Sequence, residues 1–510
     1  MKFNGVLLSV FSVFLTLENL PGQSFRFPWS GYGHEAQHDG IASAKSQPLN
    51  RILWQTPVDL NPQYGYSTNY YGGIHYGSPL ITRSNTVLVP VKTGATGGFE
   101  VEALVGATGA TNWVQSTDYI LPPHDWIPSF SPTLTPKNRL YFAGGGGTVY
   151  YCDNPDSTGS PVIGQIAFYG LSNYAAYTNA YLANVFIDTP ITSDRYGNIF
   201  FGFQVTGSTP PNLRGGIARI DYDGSGIWVS ASNAVHNAGI TKVVQNCAPA
   251  LSNDHKTLYV TVNSTNYYAY LVALDSRTLA VLNRVRLKDA HYPTNDANMG
   301  DNGTASPTIG PDGDVYFGVQ ENPLQSNNNR GWLLHFDSTL TQIKVPGAFG
   351  WDATASVVTA ALVSSYHGNS SYLLMTKYNN YADLGIGGDG VNKIAILDPQ
   401  NSMTDPISEA TVMKEVLTIA GPTPDPSFTN TYPNAVREWC INTAAVDPFT
   451  RSVLANNEDG KLYRWDLTSN TLSETNVLTT GIGEAYTPTA IGVDGIVYAI
   501  NRGTVFAIGR

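Results

Sequence analysis

The stretch SPTIGPDGDVYFG, residues 306–318, begins with a small residue and a proline, continues with a short apolar run, turns at Asp and Gly, and ends with a second apolar and aromatic run. Strand-forming residues on both sides of an Asp-Gly turn predict two β-strands joined as a hairpin. The phrase returns along the chain as SPLITRSNTVLVP (78–90), SPTLTPKNRLYFA (131–143), TPITSDRYGNIFFG (189–202), APALSNDHKTLYVT (248–261) and TPTAIGVDGIVYAI (487–500), with weaker copies at 355–376 and 442–456.

A second phrase follows most copies and predicts a third strand that ends at an Asp, then a turn, and often a fourth strand. Examples are GIARIDYDGSGIWV (216–229), YLVALDSRTLAVL (270–282) and GKLYRWDLTSNTL (460–472). Four antiparallel strands that recur about every 50 residues are typical of a propeller blade. The eight copies therefore predict an all-β fold, a single eight-bladed β-propeller of four-stranded antiparallel blades.

The two ends of the chain predict how the ring closes. The last repeat stops at GTVFAIGR (503–510), after its third strand, whereas RILWQTPVDL (51–60) has the character of a fourth strand and precedes the first repeat. An N-terminal strand that completes the C-terminal blade would leave the sheet without an open edge. We expect residues 51–510 to form the closed propeller and residues 25–50 to form a lead-in segment.

The N-terminus reads as an export signal. Lys2 supplies positive charge, residues 5–17 are mainly apolar, and Gly22 and Ser24 are small residues at cleavage-site spacing. Residues 1–24 are therefore expected to be a cleaved signal peptide, with no transmembrane segment after cleavage. This predicts an extracytoplasmic protein, whether secreted, periplasmic or on the cell surface.

The stretch GYGHEAQHDG (31–40) contains H-E-x-x-H, the pattern of many zinc proteases. That site requires a helix, which places both imidazoles on one face. Gly31, Gly33 and Gly40 bracket the motif, and each glycine in a helix interior destabilises the helix by roughly 1 kcal/mol relative to Ala. We therefore expect a polar loop, with no zinc site at His34, Glu35 and His38.

The repeated phrase, together with the opening W-x-G-x-G-x-x-x-Q-H-D-G (Trp29 to Gly40), resembles the PQQ-like repeat propellers of the quinoprotein alcohol dehydrogenase-like superfamily over about residues 27–510. In that superfamily the opening stretch leads into the propeller. The resemblance implies PQQ under a ring of two adjacent cysteines, with Ca²⁺ beside the quinone and an Asp as base. The superfamily also includes protein-binding scaffolds, so the fold alone does not decide the function.

The chain has three cysteines, Cys152, Cys247 and Cys440, and no two of them are adjacent. No cofactor or metal is therefore expected, and PQQ with calcium is the alternative that the resemblance implies. The net charge of -11 argues against binding to the negatively charged backbone of a nucleic acid, so no nucleic-acid partner is expected. The expected partner is a protein or a glycan, and the chain is expected to be a monomer.

Blades six and seven carry the longest departures from the repeat, and long loops on a rigid scaffold often carry function. The departures are residues 378–392 and 425–440, and they bring aromatic rings, amides and charged groups together. The candidate ligand-binding residues are Tyr378, Asn379, Asn380, Tyr381, Arg437, Glu438 and Trp439. No catalytic residue can be assigned from the sequence.

The sequence thus predicts an exported propeller that acts as a ligand-binding or protein-binding scaffold, more readily a binding protein than an enzyme. Two enzyme classes remain as alternatives. One is a divergent quinoprotein oxidoreductase, against which the missing adjacent cysteines count, and the other is a glycan-active hydrolase or lyase.

Overall fold

The structure, a computed structural model, describes residues 29–61, 77–124, 126–300, 303–483 and 485–510. These residues form eight antiparallel sheets, which confirms the predicted eight-bladed propeller. The predicted signal peptide, residues 1–24, and the first residues of the lead-in segment lie outside the described residues.

The first four blades are built from consecutive strands, and in blades three and four the innermost strand is interrupted. Blade one comprises β2 (Leu80–Ile81), β3 (Thr86–Lys92), β4 (Phe99–Val105) and β5 (Thr111–Thr117); blade two β6 (Thr133–Leu134), β7 (Leu140–Ala143), β8 (Thr148–Cys152) and β9 (Ile163–Ala167); blade three β10 (Val185–Ile187), β11 (Thr192–Ser193), β12 (Ile199–Val205), β13 (Gly216–Ile220) and β14 (Gly226–Ser230); blade four β15 (Lys242–Val243), β16 (Ala250–Leu251), β17 (Thr257–Asn263), β18 (Ala269–Asp275) and β19 (Val281–Arg286).

The remaining blades follow the same plan with two variations. Blade five comprises β20 (Thr308–Ile309), β21 (Val315–Val319) and β22 (Trp332–Phe336); blade six β23 (Ser356–Thr359), β24 (Tyr372–Tyr378), β25 (Lys393–Thr404) and β26 (Thr411–Ala420); blade seven β27 (Ala445–Asp447), β28 (Ser452–Asn456), β29 (Lys461–Asp466) and β30 (Thr471–Val477); blade eight β31 (Ala490–Ile491), β32 (Val497–Asn501), β33 (Thr504–Gly509) and β1 (Arg51–Pro57). In blade five two isolated bridges, Leu333 with Gly347 and Phe336 with Ile343, stand at the position of the fourth strand.

Helices are few and short among the described residues. They are α1 (Leu171–Ala176), α2 (Thr178–Asn184), α3 (Ala231–Val235) and two 3₁₀ turns, Gly145–Gly147 and Ala360–Leu362. The first two helices follow β9 and widen the connection between blades two and three.

The position of each strand within its blade explains its composition. The second strands are buried on both faces, as in β21, β28 and β32, because neighbouring blades pack against both sides of the sheet. Such strands read as continuous apolar runs. The outermost strands β1 and β30 instead carry exposed residues at alternate positions, as expected where the sheet borders solvent.

The ring is closed by the N-terminal strand, as predicted. Strand β1 pairs antiparallel with β33 from Arg51 opposite Gly509 to Pro57 opposite Thr504. Trp54 strengthens the closure, because its indole Nε1 donates to the carbonyl oxygen of Gly106 in blade one at 2.7 Å. The first and last parts of the chain therefore share one sheet.

The lead-in segment crosses one end of the propeller. Its backbone carbonyls accept hydrogen bonds of 2.7 to 3.0 Å from backbone N–H groups of the innermost strands in six blades: Trp29 from Ile81, Ser30 from Leu134, Ala36 from Leu251, Gln37 from Ile309, Asp39 from Val357 and Gly40 from Val446. Because buried peptide groups must be paired, this segment is an integral part of the ring. The opposite end, where the innermost strands begin, is called the channel mouth below.

The H-E-x-x-H stretch is a series of turns, as the flanking glycines predict. His34 and His38 have φ angles of 94° and 58°, which are outside the range of an α-helix. His34 Nδ1 lies 2.8 Å from Asp39 Oδ1, whereas His38 Nδ1 lies 2.7 Å from the Pro307 carbonyl oxygen. The two imidazoles therefore have separate partners, and the motif serves to anchor the lead-in segment.

Candidate functional site

Ionisable side chains of blades six and seven, and of the connections that lead into these blades, converge at the channel mouth. They are delivered by the turns that precede innermost strands and by the turns between second and third strands. The channel-mouth cluster consists of Asp352, Lys377, Tyr381, Glu438, Cys440 and Glu458. Both kinds of turn lie at the same end of an antiparallel blade, which is why residues distant in sequence meet there.

One part of the cluster is a buried ion pair. Lys377 Nζ lies 3.2 Å from Asp352 Oδ2, and the hydroxyl of Thr304 donates to the other carboxylate oxygen. Lys377 Nζ also lies 5.2 Å from the centre of the Tyr486 ring. Burial raises the pKa of Asp352, and the ammonium of Lys377 opposes that effect.

The second part is a close group of two carboxylates and a thiol. The backbone N–H of Glu438 donates to Glu458 Oε1 at 3.0 Å, and Cys440 Sγ lies 3.4 Å from Glu458 Oε2. One ligand atom from each of these three residues lies within 4.8 Å of the others. Burial and the neighbouring carboxylate of Glu458 raise the pKa of Glu438 to about 8. Such a group favours a bound cation, because a cation would stabilise both carboxylates in their charged form.

Four of the predicted site residues belong to this mouth. Tyr381 and Glu438 are members of the cluster, and burial followed by Glu438 raises the pKa of Tyr381 well above its usual value. Asn379 and Trp439 support the cluster through paired hydrogen bonds: the Asn379 side chain accepts from the Trp439 N–H at 3.2 Å and donates to its carbonyl at 3.4 Å.

The other three predicted residues shape the surrounding loops. Asn380 donates to the Gly387 carbonyl and to Asp389, which closes the 380–389 turn. Arg437 pairs with Asp425 at 3.2 Å. Tyr378 is buried at the end of β24. These residues contact protein groups, and their ligand-binding role stays a prediction.

The predicted stacking surfaces are enclosed by protein. Trp439 is 0% exposed and meets the Tyr463 ring edge-on at 5.6 Å between centroids, and Tyr381 is 6% exposed. In this conformation both rings pack within the propeller, so they provide a wall beneath the mouth instead of an open face.

Sequence reasoning missed Asp352, Lys377, Cys440 and Glu458 as site residues. Lys377 ends the second strand of blade six, and Glu458 lies in the corresponding turn of blade seven. A charged residue at the mouth end of a strand that is otherwise apolar is the signal that would have found Lys377. Asp352 and Glu458 lie in polar turns, where charged residues are common.

The three cysteines include no adjacent pair of the kind that covers the quinone in the superfamily that the sequence resembles. The structure describes all three cysteines, and each is buried without a disulfide. Cys152, Cys247 and Cys440 are far apart in the sequence, so the chain has no adjacent pair.

Among the described residues, no helix has the length and apolar character needed to cross a membrane.

No protein-family model matches this chain, and no curated protein matches it. Among solved structures, a europium-containing methanol dehydrogenase matches with a TM-score of 0.57 at 10% identity, over 93% of this chain and 89% of that chain. A quinohemoprotein alcohol dehydrogenase from Comamonas testosteroni matches with a TM-score of 0.54 at 12% identity, over 95% of this chain and 81% of that chain. The chain therefore has the fold of the quinoprotein alcohol dehydrogenase-like propellers, as its repeats predict.

Proposed function

We propose that the protein is a divergent, cation-dependent oxidoreductase of the quinoprotein type, with the channel-mouth cluster as its active site. The observation that carries the proposal is the pair Glu438 and Glu458, two carboxylates held together beside a buried ion pair. Burying several charged groups in one place opposes folding, so a scaffold gains nothing from this arrangement. Two solved structures with this fold are named as dehydrogenases of methanol and alcohol, and one is described as containing europium.

The donor set fits a hard cation. Ca²⁺ prefers carboxylate oxygens, and lanthanide ions have the same preference. Glu438 and Glu458 would supply those oxygens, while the soft sulfur of Cys440 is better suited to donating its S–H to Glu458 and fixing that carboxylate. The fit for a quinone is incomplete, because the chain lacks the adjacent cysteines that cover the quinone in that superfamily.

The chain's own residues have definable tasks in alcohol oxidation. With a pKa near 8, Glu438 holds a proton at neutral pH and loses it when a cation binds. The oxygen of its carboxylate that does not hold the cation could then accept the hydroxyl proton of an alcohol, while Lys377 would stabilise negative charge on the substrate oxygen. An ortho-quinone, if bound beside the cluster, would supply the acceptor for the hydride equivalent, which is the C–H hydrogen with the two electrons that the alcohol loses in becoming an aldehyde.

An exported ligand-binding scaffold is the second candidate. One observation favours it: the chain lacks the adjacent cysteines that cover the quinone in that superfamily. In this alternative the mouth binds a cation and a polar ligand without chemistry. The two candidate functions use the same site, and they differ in whether the protein converts a bound substrate into product.

The experiment is reconstitution with PQQ and either Ca²⁺ or La³⁺, followed by alcohol-dependent reduction of an artificial dye. The parent should reduce the dye, and Glu438→Gln, which keeps the shape and removes the charge, should lower the rate at least a hundredfold. Glu409→Gln is the matched control, because Glu409 is exposed in the turn between β25 and β26.

Terbium luminescence, excited through the aromatic rings of the mouth, separates the two candidates. Cation binding that is lost in Glu438→Gln, with no dye reduction by the parent under any of these conditions, would reject the oxidoreductase and support the binding protein. Unchanged luminescence in Glu438→Gln would show that the cluster is not the cation site, which would contradict both candidate functions.

A further inference from the structure

A solvent-open groove of about 1000 Å³ lies at the outer edge of the ring, between blades two and three. It is bounded by strand β9 and the start of α1 on one side, and by the hairpin between β13 and β14 on the other. Its volume is at the upper end of the roughly 300–1,000 Å³ typical of small-molecule sites. The groove is separate from the channel mouth, because none of its lining residues belongs to the channel-mouth cluster.

The floor of the groove is a guanidinium held between two tyrosine rings. The Arg139 carbon Cζ lies 4.5 Å from the centre of the Tyr151 ring and 4.1 Å from the centre of the Tyr222 ring. Arg139 also donates to Asp153, to the Tyr141 hydroxyl at 3.2 Å and to the Tyr222 carbonyl at 3.0 Å. These contacts fix a flat, preorganised floor and spare it the entropy cost of ordering when a ligand binds.

The wall combines an apolar ring with polar groups. Trp228 on β14 is half-buried and meets the Phe203 ring edge-on at 6.1 Å between centroids. Gln165 is half-buried on β9, and Asp223 and Ser225 are exposed in the hairpin. The hydroxyl and backbone N–H of Ser225 donate to Asp223 Oδ1 at 2.6 and 2.9 Å, which lowers the pKa of that carboxyl and keeps it an acceptor.

We infer that this groove is a binding site for a neutral oligosaccharide. A pyranose ring presents apolar C–H faces that stack on aromatic rings, and its hydroxyls need donors and acceptors at the rim. Trp228 supplies the ring, and Asp223, Gln165 and Ser225 supply the hydrogen-bonding groups. The elongated, open shape suits a chain of several sugar units.

The site binds and does not cleave. Glycoside hydrolysis commonly uses two carboxyl groups on opposite sides of the scissile bond. Asp223 is the one carboxylate among the residues that line the groove. This inference stands apart from the proposed oxidoreductase, since it rests on other residues and requires no cation.

The test is calorimetric titration of the full protein with cellohexaose, xylohexaose, chitohexaose and maltohexaose. We expect at least one of them to bind with a Kd below about 1 mM. Trp228→Ala should weaken that binding about tenfold by removing the stacking ring. Asp223→Asn, which touches no core residue, should weaken it to a similar extent and guards against a folding defect in the first variant.

Tyr196→Ala is the matched control, because Tyr196 is a 59% exposed ring in blade three that does not line the groove. It should bind like the parent. If none of the four sugars binds at about 5 mM, or if Trp228→Ala and Asp223→Asn both bind like the parent, the inference is wrong. If the groove binds a peptide and none of the four sugars, the inference that it is an oligosaccharide site is also wrong.

Discussion

Lys377 Nζ lies 3.2 Å from Asp352 Oδ2, and neither side chain is more than 4% exposed. Replacing Lys377 by Met should lower the free energy of unfolding by about 3–5 kcal/mol, because it leaves the Asp352 carboxylate buried without its partner. Burial already raises the pKa of Asp352, so acidification should protonate it and reduce the loss. Urea unfolding at two pH values measures both effects. The double variant Lys377→Met, Asp352→Asn should recover part of the stability; a single variant as stable as the parent would contradict the prediction.

Trp439→Ala should also destabilise the protein, by about 3–5 kcal/mol, since the indole is fully buried between blades six and seven. The change leaves a cavity beneath the inserted loops, and the Asn379 side chain can still bond to the backbone of residue 439. Thermal and urea unfolding measure the loss. The control is Leu384→Ala, because Leu384 is 38% exposed and lies on the neighbouring insertion, residues 378–392. A loss below about 1 kcal/mol would mean that the ring is only loosely packed.

His38 should make the protein sensitive to acid. Burial lowers its pKa to about 4, against 6.5 for the ordinary imidazole. Because the unfolded state binds the proton more tightly, stability is fully present above pH 6.5 and falls as the pH drops towards 4, by roughly 3 kcal/mol from this residue.

His38→Asn tests this effect. Asn tolerates the positive φ of this position and can donate to the Pro307 carbonyl, as His38 does. The variant should lose less stability than the parent between pH 6.5 and 4. The exposed His367→Asn should follow the parent. Identical pH profiles for all three proteins would show that His38 does not titrate in this range.

Removal of residues 1–60 should abolish cooperative folding. The deletion exposes the edge of β33 and removes the carbonyls that pair with innermost strands in six blades. We expect aggregation or a broad thermal transition, measured by gel filtration and calorimetry. A protein that starts at residue 25 serves as the control. A monomeric deletion variant with an unchanged Tm would rule out a structural role for the N-terminal strand and lead-in segment.

The chain has three N-x-Ser/Thr sequons, which begin at Asn263, Asn302 and Asn369. In a host that attaches N-linked glycans, burial should decide between Asn263 and Asn369. Asn369 is exposed in the turn before β24, whereas Asn263 is 2% exposed and its side-chain amide donates to the Met299 carbonyl at 3.0 Å. Intact mass before and after endoglycosidase treatment should show a glycan that disappears in Asn369→Gln. Asn263→Gln should leave the mass change intact. The third sequon, Asn302, lies outside the described residues and is removed in all samples.

The repeated hairpin phrase was sufficient to predict the blades, because each copy contains both its strand-forming and its turn-forming residues within one short stretch of sequence. The pairing of Arg51–Pro57 with the last strand was also predictable, since an incomplete blade and a lone strand at opposite ends of the chain fit each other. The lead-in function of Trp29 to Gly40 came from its resemblance to related propellers. Its hydrogen bonds to six blades could not come from the sequence, as they join residues far apart.

The sequence by itself determined the class of fold, the number of blades and the closure of the ring; the ligand-binding role of residues 378–392 and 425–440 stays a prediction. Only the tertiary structure decided which side chains meet. Asp352, Lys377, Glu438 and Glu458 belong to blades six and seven and to the connections that lead into them. They come together because these turns and strand ends lie at one end of the channel. The sequence also does not determine which side chains are buried. Trp439 is expected to be exposed because it follows a polar loop, but the packing of blade seven encloses it. Local patterns specify strands and turns, whereas convergence and enclosure depend on contacts between distant segments.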